Sequence, residues 1–129
     1  MLKINFMLVA ALLGGLAVIL GAFAAHGLEQ AVDAKMLSRF HTGVEYQFYH
    51  VFAVLLVGVL YQLKSYKPLY LSGLFFLSGI LLFSGSLYAY VLTANKLFVI
   101  LTPIGGLCFI IAWMLLAYCL YRVNFFESH

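Results

Sequence analysis

Four long apolar segments dominate this sequence and restrict what the chain can fold into. They cover about residues 4–25, 41–61, 69–92 and 97–121. Each meets the requirement of about 20 apolar residues for a helix that crosses the hydrocarbon core of a bilayer. The connections between them are short, so neighbouring helices must be antiparallel. The sequence therefore predicts an all-α integral membrane protein, a four-helix up-down-up-down bundle in which residues 1–129 form a single transmembrane domain.

The charge content excludes a soluble protein and a nucleic-acid-binding protein. Charged residues make up 9% of the chain, whereas soluble domains contain about 25%. The mean hydropathy of +1.10 is too high for a water-exposed surface. The net charge of +3 is spread along the chain, as helix flanks are, rather than gathered into a basic patch. We expect the lipid bilayer as the main partner, no nucleic acid, and either a membrane-protein partner or a homo-oligomer as a further option.

The first apolar segment has features of a secretory signal, but we expect it to be retained as a membrane span. Lys3 precedes it, and Ala22-Phe23-Ala24 forms an A-x-A cleavage pattern. The apolar run is longer than the apolar region of a typical signal peptide.

The distribution of basic flanks predicts the orientation of the protein in its membrane. Four basic residues fall on the side of the termini and three on the other, and the signal-like first span adds to this bias. We therefore expect both termini in the cytoplasm. The two groups are Lys3, Lys64, Lys67 and Arg122, against Lys35, Arg39 and Lys96.

Local signals predict where the helices begin. Asp33 is a suitable cap for a second helix that starts at Ala34. Pro68 suits the first turn of the third helix. In the fourth segment Thr102 and Pro103 form a cap and a first helical position, which predicts a break or kink there. The glycines that follow, in residues 105–106, would let a neighbouring backbone approach closely.

The richest polar stretch, "HTGVEYQFYH" at residues 41–50, leads into the second span. At about 100° per residue, polar groups fall on two nearly opposite faces of one helix. Lipid offers no hydrogen-bond partners. We therefore expect the second helix to be the most enclosed of the four. The candidates for a polar cluster or ligand site are His26, His41, Glu45, Tyr46, Gln47, Tyr49, His50, Ser84, Ser86, Tyr88 and Thr102.

Within this stretch, Glu45 and His50 differ in depth. His50 falls near the bilayer midplane if the second segment spans the membrane. Glu45 is the acidic residue inside an apolar run, about one turn closer to the surface. A buried carboxylate is costly unless it is paired or protonated. We therefore predict that Glu45 is held by His41, four residues away, or by His26.

Four interpretations of the cluster follow from its residue types. The polar groups can serve only as interhelical hydrogen bonds. His26, His41 and Glu45 have ligand types suited to a metal. His50 could ligate haem if a dimer supplied a second histidine. A proton relay could run through His50, Glu45 and the tyrosines. No catalytic residue and no cofactor is identified from the residues, and Trp113 is expected to be core packing.

Several blocks, in order, resemble one known family. They are "GAFAAHGL", "HTGVEYQFYH", "LFSGSLY" and "TPIGG", followed by Trp113. These resemble the YgdD-like family, domain of unknown function 423, whose members are small bacterial inner-membrane proteins related to eukaryotic transmembrane protein 256. The family usually has glycine where this chain has Ala24. The resemblance implies four spans in an inner membrane and supplies no reaction.

Two main classes of function therefore remain. One is a non-enzymatic membrane protein that binds a small ligand or assists a membrane complex. The other is a proton-coupled transporter of a small solute, and a haem- or quinone-binding oxidoreductase subunit is a third option. A wet cavity that reaches Glu45 and His50 would favour transport. A dry, fully hydrogen-bonded cluster would favour binding.

Overall fold

The computed structural model describes residues 3–127, and four helices in it are long and apolar enough to cross a membrane. The chain is an all-α integral membrane protein with the predicted antiparallel bundle. A short 3₁₀ turn, Leu28–Gln30, follows the first helix. The four helices are α1 (Phe6–His26), α2 (Ala34–Leu63), α3 (Lys67–Thr93) and α4 (Leu97–Arg122).

Local capping explains the helix starts. The side chain of Asp33 accepts a hydrogen bond from the backbone N–H of Met36 at 2.8 Å, as predicted. Asn5 caps α1 in the same way. Pro68 lies in the first turn of α3, where its missing N–H costs nothing. At the turn into α4, Ala94 takes a left-handed conformation with φ of 56°.

The helices α2 and α3 form the inner pair of the bundle. They lie against each other, while α1 lies against α2 and α4 against α3. Half of the apolar window of α2 is buried, compared with 44% for α3, 22% for α4 and 17% for α1. The prediction that α2 is the most enclosed helix is therefore confirmed. Because α1 and α4 each lie at an edge, the bundle has grooves on its lipid-facing sides.

Contacts at one end of the bundle hold the terminal segments beside the α2–α3 connection. The ammonium nitrogen of Lys3 lies 5.7 Å from the ring centroid of Tyr61. The side chain of Lys64 donates to the carbonyl oxygen of Asn124 at 3.5 Å. These contacts place both basic flanks at the same end of the bundle.

The predicted break at Pro103 is wrong, because α4 is one helix from Leu97 to Arg122. The alternative, a kink of this continuous helix at Pro103, stays a prediction. Thr102 does not cap a helix. Its hydroxyl oxygen lies 2.6 Å from that of Ser86 in α3. Within a helix, proline removes one backbone hydrogen bond. A break would leave several backbone groups without partners in lipid, so the continuous helix has the lower cost.

A π-helical turn in α3 lies against a glycine of α4. The turn covers Ile80–Ser84. A Cβ on Gly105 would collide with the backbone of Leu82 and Phe83, so the two chains touch through their main chains. A Cβ on Gly106 would meet only the Phe83 ring, at 3.8 Å or more. The predicted close approach therefore occurs at Gly105, and wide turns of this kind are frequent at functional sites.

Candidate ligand-binding site

His50 lies near the middle of α2 with both ring nitrogens in hydrogen bonds. Its Nδ1 is 2.6 Å from the carbonyl oxygen of Tyr46. A carbonyl can only accept, so Nδ1 carries the proton. The indole N–H of Trp113 donates to Nε2 at 3.2 Å, which requires a lone pair there. The geometry therefore fits a neutral imidazole whose two nitrogens are both used.

Aromatic rings surround this histidine. The imidazole stacks on Phe109 with 3.5 Å between ring centroids and 6° between planes. Tyr46 stacks on Phe83 at 4.5 Å. The edge of Phe76 meets Trp113 at 5.0 Å. Rings from three helices, α2, α3 and α4, pack against one another in this cluster.

A cavity of about 640 Å³, here named the His50 groove, opens beside these rings between α2, α3 and α4. Trp113 is 46% exposed and Tyr46 is 38% exposed, so the groove opens sideways toward lipid. The expectation that Trp113 is core packing is wrong, since it forms part of a wall. The sequence signal for this wall is the pair Phe109 and Trp113, which share one helix face at i,i+4. The lining consists of Tyr46, His50, Phe83, Pro103, Gly106, Leu107, Phe109, Ile110 and Trp113.

A second polar group, separate from the groove, joins three helices through Gln47. Its side-chain N–H donates to the carbonyl oxygen of Leu13 in α1 at 2.8 Å. The hydroxyl of Tyr88 in α3 donates to the amide oxygen of Gln47 at 2.7 Å. Gly43 lies under this tyrosine, where a Cβ would come within 2.7 Å of the ring. This arrangement satisfies an amide that is 2% exposed.

The hydroxyl groups of Ser86 and Thr102 meet between α3 and α4. Ser86 donates to the carbonyl oxygen of Phe83 at 2.9 Å, so the hydroxyl of Thr102 is the donor between these two side chains. Ser84 is fully buried, and its hydroxyl has no hydrogen-bond partner among residues 3–127. Ser86 and Thr102 therefore join α3 to α4 and are not parts of the groove wall.

The remaining candidates are on exposed positions of α1 and α2, and the ring of Tyr49 lies 5.9 Å from that of Tyr46. His41, Glu45 and Tyr49 are exposed on α2, and His26 is exposed at the end of α1. In the described part of the chain, Glu45 forms no ion pair with His41 or His26, so the predicted pairing is wrong. Across residues 3–127 no three His, Cys, Asp or Glu side chains come together as a metal site would require.

The length of α2 bounds how deep Glu45 lies in the membrane. The helix has 30 residues, about 45 Å at 1.5 Å per residue. The hydrocarbon core is only about 30 Å thick. About 15 Å of α2, or just under three turns, therefore lies outside the hydrocarbon core and is shared between the two ends of the helix. Glu45 is six residues, about 9 Å, from Arg39 toward the bilayer centre. The face with Glu45 is turned away from α1 and α3, and the enclosed polar residues are on the other side.

A comparison with known protein families matches the part of the chain that contains α2 and α3. The family model described as "Protein of unknown function (DUF423)" matches residues 20–106, which is more than half of the chain. The chain belongs to the DUF423 family. The matched region contains α2 and α3 in full, with His50, Gln47 and Tyr88. Phe109 and Trp113 lie beyond it.

Curated relatives of this DUF423 chain are membrane proteins. The UPF0382 membrane protein of Haemophilus influenzae is 50% identical over 91% of this chain and 94% of its own. The UPF0382 membrane protein YwdK of Bacillus subtilis is 40% identical over 86% and 91%. The UPF0382 inner membrane protein YgdD of Escherichia coli is 40% identical over 87% and 86%. No solved structure matches the chain. The relatives' names support an inner-membrane protein.

Proposed function

We propose that this chain is a single-domain, non-enzymatic membrane protein that binds one small lipid-soluble molecule in the His50 groove. The observation that carries the proposal is the groove itself. Its volume of about 640 Å³ falls within the range of about 300–1,000 Å³ typical of ligand pockets. Its walls are aromatic, and its opening faces the lipid phase. A molecule dissolved in the bilayer can therefore enter without crossing water.

The hydrogen bonds of His50 support binding over a proton relay. A relay needs a group that can take up a proton, but the Nε2 of His50 already accepts the indole N–H of Trp113. Protonation there would remove that bond. Glu45 is exposed, and among residues 3–127 no hydrogen bond joins it to His50. The use of both ring nitrogens of His50 in hydrogen bonds therefore supports a binding protein over a relay.

Trp113 makes the proposal testable because it is the single tryptophan of the chain. We expect menadione, a planar apolar quinone that quenches indole fluorescence on contact, to quench Trp113 in detergent-solubilised protein. Because the groove holds a limited number of molecules, the quenching should saturate as the mole fraction of menadione rises. Fluorescence titration at fixed detergent concentration measures this.

A matched pair of glycine variants identifies the groove as the binding place. Gly106→Leu fills the groove from its wall, since only the Phe83 ring is near. Gly15→Leu makes the same change in α1, where nothing lies within 4 Å. We expect Gly106→Leu to abolish saturation and Gly15→Leu to preserve it. Equal titration curves for Gly106→Leu and the unchanged chain would overturn the proposal.

We also propose that both termini are cytoplasmic, on the basis of the basic flanks. In a background in which Cys108 and Cys119 are alanine, Ser65→Cys and Gln30→Cys place exposed thiols at opposite ends of the bundle. We expect a membrane-impermeant maleimide to label position 30 on intact cells and position 65 only after the cells are opened. The reverse labelling would invert the orientation.

A further inference from the structure

A second, smaller cavity extends the His50 groove toward one end of the bundle. It measures about 220 Å³ and carries an arginine at its mouth. Pro103 belongs to the lining of both cavities, so they meet at this residue. The lining of the smaller one is Arg39, Leu87, Tyr90, Val99, Thr102 and Pro103.

The two cavities follow a single side of the bundle, and together they are here named the channel. On α2, Arg39, Tyr46 and His50 are seven and four residues apart and share a face. On α3, Leu87 and Phe83 are likewise four residues apart. From Arg39 to His50 the helix rises about 16 Å. One leaflet of the hydrocarbon core is about 15 Å thick. The channel therefore extends from the interface to the bilayer centre, the depth that one lipid chain occupies.

Arg39 has unused capacity to bind an anion. Its guanidinium lies 5.1 Å from the ring centroid of Tyr90, and one N–H group contacts the sulfur of Met36 at 3.9 Å. Within residues 3–127 it forms no ion pair with a carboxylate. A guanidinium presents five donors in a planar fork that matches a phosphate. A bound anionic headgroup would therefore supply the missing counter-charge.

We propose that the ligand of the His50 groove is an anionic phospholipid, with its phosphate on Arg39 and one acyl chain extending to His50 and Trp113. This inference rests on the proposed function and names the class of ligand. The tail fills the aromatic part of the channel. The headgroup stays at the interface, where Tyr90 and Arg39 form the mouth.

Brominated lipids test this assignment, because bromine on an acyl chain quenches tryptophan on contact. In detergent-solubilised protein, phosphatidylglycerol with dibrominated chains is compared with phosphatidylcholine carrying the same chains. A basic residue near a membrane surface attracts an anionic lipid by about 1 kcal/mol, which is about fivefold in affinity. We expect phosphatidylglycerol to reach half-maximal quenching of Trp113 at about a fivefold lower mole fraction.

Two charge variants decide whether Arg39 provides the preference. Arg39→Gln should make the two lipids equal. Lys35→Gln removes the same charge from an exposed position one turn earlier and should keep the preference. A preference that survives Arg39→Gln overturns the inference.

The outcome with menadione separates the two proposals. Saturable quenching by menadione, with equal quenching by both brominated lipids, overturns the phospholipid assignment and leaves the proposed binding function in place. If neither menadione nor either lipid gives saturable quenching that Gly106→Leu removes, the proposed function and the phospholipid assignment both fail.

Discussion

Gly105→Ala is expected to lower the stability of the bundle, whereas Gly106→Ala, one residue along, is expected to leave it unchanged or slightly higher. A Cβ on Gly105 would collide with the backbone of Leu82 and Phe83 in α3. Backbone cannot move aside as a flexible side chain can, so α3 and α4 would have to separate. Overpacking of this kind typically costs about 1–3 kcal/mol, and we expect a cost near the upper end.

The neighbouring glycine is a matched control for helix propensity. Alanine is favoured over glycine in a helix by about 0.5–1 kcal/mol, and both positions gain this term. At Gly106 the nearest atom to a Cβ is 3.8 Å away, so no collision offsets the gain. Thermal unfolding of both variants in one detergent measures the difference. Equal unfolding midpoints would show that α3 and α4 do not touch through their backbones at Gly105.

The overall fold could be predicted because lipid imposes strong rules on sequence. A spanning helix needs a long apolar run, and short connections make neighbours antiparallel. The helix starts could be predicted because capping is local. Asp33 and Pro68 act on atoms only a few residues away in the sequence. The break predicted at Pro103 did not occur, because a local rule for helix starts met a stronger constraint. In the bilayer an unbroken α4 satisfies more backbone groups than two shorter helices would.

The candidate site was only partly predictable. Periodicity showed that α2 has polar residues on two faces, and it gave the depth of His50. It could not show which face meets protein, because that depends on where α1 and α3 are placed. Glu45 was therefore expected to be paired but is exposed. Arg39 and Trp113 were not recognised as parts of one channel, because they are brought together by helices distant in sequence.

Gln47 determines how the least buried helix is held. Only 17% of the apolar window of α1 is buried, and α1 lies mainly against α2. The amide of Gln47 links the carbonyl oxygen of Leu13 to the hydroxyl of Tyr88. We therefore expect Gln47→Leu to destabilise the protein. A buried polar group left without its partner costs about 1–3 kcal/mol, and this change leaves the Tyr88 hydroxyl in that state.

A double-mutant cycle distinguishes this hydrogen bond from simple loss of packing. Tyr88→Phe alone strands the amide oxygen of Gln47 and should also destabilise the protein. With both changes neither polar group is stranded, so the double variant should cost less than the sum of the two single variants. Coupling energies for such bonds in membrane proteins average about 0.6 kcal/mol and reach about 1.7, and we expect a value at the upper end because both groups are enclosed. Gln62→Leu is the control, because Gln62 is exposed in the last turn of α2. Its free energy of unfolding should equal that of the unchanged chain. Unfolding by a denaturing detergent gives the four free energies, and strictly additive costs for Gln47→Leu and Tyr88→Phe would mean that this bond does not hold α1 and α3 to α2.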